Sequence, residues 1–294
     1  MPAINSTQIP TQKDSAQRPS PLTPKEWDQQ FPGVLDAIAI MAGAANVIMQ
    51  LARLPVGHGV VESRVESGAL FKHPIKRART TITYLGIVWL GTAEEKQLYR
   101  AAVNGAHRQV HSTEQSKVKY NAFDPELQVW VAACLYWGIV DTNQKLGYRM
   151  SPSQRQAFYR LGSQLGTTLQ VKADMWPADE DAFERYWQQG LAKIEIDETT
   201  RDFFNRLIDL EFLHPILSKL FGPVNRFMTI GFLPPAFRDE LCVAWDSGKQ
   251  RKFERLMSVI RSVNCATPRV LRQLPFYYVM WDFRRRVSKG VPLV

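Results

Sequence analysis

Between Pro74 and Trp137 the chain repeats apolar residues at helical spacing three times in succession, and no other feature constrains the fold as much. The first segment carries Arg77, Thr80 and Thr81 and runs to Gly91-Thr92, a stop followed by a cap. The second sets Tyr99, Val103, Ala106 and Val110 on one side, with His107 turned the same way. The third opens at Asp124-Pro125. Its Leu127, Val129 to Leu135, Trp137, Ile139 and Val140 leave almost no polar face, which places it centrally. No stretch sustains an alternation of period two, and no repeat is evident. The pattern predicts an all-α chain folded as a single multi-helix domain.

His107 is the residue in this frame that asks for chemistry. A buried neutral imidazole needs a partner for each ring nitrogen, because leaving one unpaired costs about 1–3 kcal/mol. A haem iron on one nitrogen and a backbone carbonyl or carboxylate on the other satisfies both. A core histidine bonded only to protein groups satisfies both as well, and spacing alone does not separate the two. Arg77 and Thr81 lie one helical turn apart, so a guanidinium and a hydroxyl can face one space. In a haem site such a donor can hold a propionate or polarise bound dioxygen; otherwise Arg77 is a surface residue near a helix start. His111, four residues after His107, lacks the Glu that a His-Glu-x-x-His zinc site requires and reads as a helix-terminal residue.

The runs Val103-Asn104-Gly105-Ala106-His107-Arg108-Gln109-Val110 and Tyr120-Asn121-Ala122-Phe123-Asp124-Pro125-Glu126-Leu127-Gln128-Val129-Trp130-Val131 resemble the family of the fungal MpaB oxygenase and the bacterial latex-clearing protein, a rubber oxygenase. A weaker likeness extends from about Val34 to about Arg269, including Gln50 to Val60. The resemblance implies a helical fold enclosing non-covalent haem b, with His107 as proximal ligand and Arg77, Thr80 and Thr81 beside the cofactor. It implies an oxygenase that uses dioxygen to cleave a carbon–carbon double bond in an apolar, unsaturated, isoprenoid or lipid-like substrate. Hydroxylation or peroxide-driven oxidation on the same iron stays open. The rubber oxygenases carry Arg-x-x-Lys-Thr where this chain has Arg77 to Thr81, so Thr80 stands in place of a lysine that can cap iron. An open or water-bound iron and a different substrate are therefore expected. A proton-accepting Glu in those enzymes corresponds loosely to Glu62, with Glu66 a second carboxylate nearby. A cofactor-free helical protein that binds a lipid or a partner is the competing class.

The net charge of +9 suits anionic partners, but its clusters, 72–79, 249–255 and 284–289, are interleaved with no nucleic-acid motif and read as solvated surface. Three distant cysteines, Cys134, Cys242 and Cys265, argue for reduced thiols and a cytoplasmic protein. Residues 1–22 are polar and Pro-rich, are expected to be disordered, and show no secretory signal. The helical domain then spans 23–294, with capping boxes at Thr23-Pro24-Lys25-Glu26 and Ser151-Pro152-Ser153-Gln154. Residues 34–54 read as one buried helix, since Asp36, Asn46, Gln50 and Arg53 interrupt it too often for a membrane span, although peripheral membrane contact would suit an apolar substrate. Gly57-His58-Gly59 reads as a loop with an exposed histidine. Later helices are expected at about 152–165, 179–191, 198–212, 214–221, 235–244, 249–263 and 275–287, the aromatic cluster 276–283 docking the last of them.

Overall fold

The structure, a computed structural model, describes residues 22–63, 65 and 68–294. The expected disordered tail lies outside the described residues, except Leu22, which packs against the core.

Helix α1 (Pro24–Gln30) starts from the predicted capping box: Thr23 Oγ1 accepts from the Glu26 amide, and the Glu26 carboxylate accepts from the Thr23 amide. The single helix expected over 34–54 is divided. A 3-10 segment, Ala37–Ala42, leads into α2 (Gly43–Leu51), and the chain bends by 112° into α3 (Leu54–Val61). Pro55 has no N–H to carry the α2 hydrogen-bond ladder onward and is tolerated in the first turn of α3, where none is needed. Gly57 and His58 therefore lie in a helix, not a loop. A Cβ at Gly57 would meet the Leu51 carbonyl oxygen and Thr200 Cγ2 at 2.6 Å each, so the glycine admits close packing there.

The three central helices are α4 (Pro74–Leu90), α5 (Ala93–His107) and α6 (Pro125–Lys145). Thr92 with Glu95 forms a capping box for α5, and Asp124 accepts from the Glu126 and Leu127 amides to start α6. The aromatic residues of α6 are core: Trp130 and Trp137 both stack on Trp187, with centroids 5.3 and 5.1 Å away. They form no platform for a cofactor.

Helices α7 (Pro152–Gly162), the short α8 (Gln164–Thr167), α9 (Glu180–Leu191) and α10 (Glu198–Ile208) pack around this centre. Beyond them come α11 (Pro215–Phe232), α12 (Pro235–Glu240), α13 (Ser247–Ala266) and α14 (Arg269–Ser288), and α14 lies along α4. Docking holds for two of the five aromatic residues on α14: Phe276 and Phe283 are buried, whereas Tyr277, Tyr278 and Trp281 are exposed. The fold is all-helical, with one isolated bridge, His111 to Asn121, among the described residues. No single helix among them is long and apolar enough to cross a membrane.

Candidate functional site

A cavity of about 760 Å3 opens between α3, α4, α5 and the start of α6, a size that suits a cofactor or a drug-sized ligand. Val56, Val60, Leu70, Val131, Leu165 and Phe203 supply much of its apolar wall. Its polar face comes from Lys76, Arg77, Thr80, His107, Tyr120 and Gln128, and the described lining residues include no Asp or Glu.

His107, the last residue of α5, lines this cavity. Its Nδ1 is buried with no hydrogen-bond partner, which leaves Nε2 as the nitrogen on the cavity side. The carbonyl or carboxylate expected behind the ring is missing for a local reason. The nearby carbonyls of Asn104, Ala106 and His107 itself accept from Arg108, Gln109 and Val110. Burial, and then the positive charge of Arg77, push the imidazole pKa below its ordinary value. The ring is therefore neutral near pH 7, with a lone pair available. A ligand in the cavity meets Nε2, while the unpaired Nδ1 lies on the buried side of the ring.

Arg77 combines properties that usually exclude each other. Its side chain has accessible surface, yet burial lowers its pKa, and among the described residues it has no hydrogen-bond acceptor. A side chain that opens into an internal cavity has both. Thr80 shares the lining, whereas Thr81 does not. Both threonine hydroxyls donate to the Arg77 carbonyl at 3.0 Å, and Tyr99 donates to the Thr80 carbonyl at 2.6 Å. These bonds hold the turn in place and occupy the hydroxyl protons. Part of the 72–79 basic cluster thus faces the cavity through Lys72, Lys76 and Arg77, and is not the solvated surface that the sequence suggested.

Glu62 caps the end of α3, one layer behind the cavity wall. Its carboxylate receives His58 Nδ1 at 2.7 Å and the Tyr120 hydroxyl at 3.2 Å. His58, expected to be exposed, is 1% exposed, and its Nε2 meets Asp197 Oδ2 at 2.6 Å. Burial by itself depresses the His58 pKa, but the two carboxylates outweigh it and hold the ring above its ordinary value. Burial works against Glu62 and Asp197 too, yet hydrogen bonds from His58, Tyr120 and the Thr200 amide keep both below the usual carboxylate range. Glu62 is thus an ionised group that reaches the cavity through Tyr120. Glu66 lies outside the described residues.

Asp197, Tyr120 and Lys76 escaped the sequence reading. Asp197 was visible only as the N-cap of α10, where Oδ1 accepts from the Thr200 amide; the bond to His58, 139 residues away, left no local trace. His111 lies beyond the end of α5 and is exposed, so it shares no helix face with His107. No cluster of three or more His, Cys, Asp or Glu able to hold a metal ion occurs among the described residues.

Two mycobacterial proteins of uncharacterized function, one from Mycobacterium bovis and one from Mycobacterium tuberculosis, are each 45% identical to this chain over 251 residues, covering 85% of it and 98% of their own length. No solved structure matches. Residues 33–262 match the family described as the ER-bound oxygenase mpaB/B′ and rubber oxygenase catalytic domain, which takes in α2 to α12, His107, Arg77 and the cavity they line. The chain belongs to that oxygenase family.

Proposed function

We propose that this protein is a haem b-dependent oxygenase acting on an apolar, unsaturated substrate. The observation that carries the reading is His107: a neutral imidazole in the wall of a largely apolar cavity, with Nε2 on the cavity side. His107 would hold the iron through Nε2. When bound, the haem supplies dioxygen activation, and cleavage of one double bond by one dioxygen gives two carbonyl products. The protein's part is more limited. His107 offers a lone pair, and burial, helped by the Arg77 charge, keeps that lone pair free of a proton. Arg77 also presents donors to negative charge inside a space that the apolar wall keeps dry. Thr80, whose hydroxyl donates to the Arg77 carbonyl, stands where the rubber oxygenases have a lysine and would not cap the iron as that lysine can.

Protein produced with ample haem should show a Soret band, and His107→Ala should abolish or shift it. Reduced protein given dioxygen and an unsaturated lipid should yield carbonyl fragments by mass spectrometry. A colourless protein, or a band unchanged in His107→Ala, overturns the proposal.

A further inference from the structure

The first turn of α4 is electrostatically incomplete. A helix N-terminus carries partial positive charge and is stabilised by acids. Here the first turn holds no acid and Lys76 and Arg77 follow at once, so three sources of positive potential converge. Two other arginines are neutralised: Arg79, two residues on, meets Asp282 at 3.2 Å, and Arg272 meets Asp36 at 2.8 Å. Arg77 lines the cavity, where the described lining holds no Asp or Glu. Lys76 lines the same wall, likewise without an acceptor among the described residues. A guanidinium that lines a largely apolar cavity with no Asp or Glu beside it favours an anionic partner that arrives with the ligand. The rest of the cavity is a wall of Val, Leu and Phe. The ligand that matches both ends is an amphiphile.

We propose that Lys76 and Arg77, at the N-terminal turn of α4, form an anion-binding subsite of the cavity that takes the carboxylate or phosphate head of a long-chain amphiphile, whose tail lies along the apolar wall. As a statement about substrate this rests on the oxygenase reading; as a statement about binding it does not. It predicts an anionic substrate, not a neutral hydrocarbon.

The test uses the full-length protein as purified, with oleate, oleyl phosphate and the neutral oleyl alcohol as probes, each below its micelle concentration, and tryptophan fluorescence as readout. At least one anionic probe should bind tenfold or more tighter than the alcohol, and which one binds tighter assigns the head. Added salt should weaken the anion and spare the alcohol. Arg77→Leu should erase the preference without changing alcohol affinity, and Arg77→Lys should restore part of it. If Arg77→Leu fails to fold, Lys76→Met and the salt dependence carry the same test. Equal affinity for all three probes, or no binding of any, overturns the subsite. So does an Arg77→Leu protein that keeps the preference but loses haem affinity, because the anion would then be the cofactor's propionates. Absence of a Soret band with the preference intact removes the oxygenase reading and leaves the subsite standing.

Discussion

Replacing His58 by alanine tests the charge assigned to the layer behind the cavity. The imidazole is 1% exposed and bridges Glu62 and Asp197, whose side chains are 30% and 32% exposed. Breaking a fully buried pair costs about 3–5 kcal/mol, and an exposed pair is worth about 0–1 kcal/mol. With one member buried and both partners partly screened, His58→Ala should cost roughly 2–3 kcal/mol near pH 6, where all three groups are charged. The folded-state pKa of His58 is raised, so its contribution is full below the unfolded value of about 6.5 and is lost as pH rises through the folded value. Glu62 and Asp197 are depressed, so theirs is present above about pH 4 and is lost as pH falls through their folded values. The stability difference between wild type and variant should therefore peak between those limits and shrink toward about pH 9, by about 1.4 kcal/mol for each unit of upward shift. Urea unfolding followed by far-ultraviolet circular dichroism, at a series of pH values with m checked for constancy, measures it. A difference that stays flat from about pH 5 to pH 9 would mean a neutral His58 throughout, and the charged bridge would be wrong.

Three further outcomes are expected. His107→Leu should stabilise the ligand-free protein by about 1 kcal/mol in urea, because it removes a buried nitrogen that has no partner; a loss of stability would show that the ring is already satisfied. Arg272→Met should cost about 3–5 kcal/mol by the same assay, since Asp36 is 0% exposed and Asn264 at 2.8 Å and Tyr148 at 2.5 Å do not replace the lost charge. A thiol reagent should modify Cys242 and Cys265 in the native protein, as counted by mass, and spare Cys134, which is buried with its pKa pushed up.

The helix starts were legible because their determinants are local. Thr23, Thr92, Asp124 and Ser151 each sit within three residues of the amide they cap. The ends at prolines were not. Residues 214–221 were expected to stop before Pro223, yet α11 continues to Phe232, and α14 begins at Arg269, ahead of Pro275. A proline inside a helix frees the carbonyl four residues before it. Those residues are Lys219 and Leu271, both exposed, so water can take up the freed carbonyls. Exposure of that kind is tertiary information. The same holds at the site: that His107 faces inward follows from periodicity, but that no acceptor stands behind it depends on which neighbouring carbonyls are already used.

Charge is sorted into two layers around the cavity. Lys76, Arg77 and a neutral His107 face the ligand space, while Glu62 and Asp197 are held one layer back by a cation of their own, His58. By bonding both carboxylates, His58 holds them among themselves, while burial and then the Arg77 charge lower the His107 pKa. Arg77 and Nε2 of His107 face the same cavity, and a ligand carrying both an anionic group and an electron-pair acceptor engages them together. Such a ligand should raise the melting temperature in proportion to the logarithm of its concentration above Kd. That rise should be smaller in Arg77→Leu and in His107→Leu than in wild type, and the two losses should not add, because each side chain changes what the other needs.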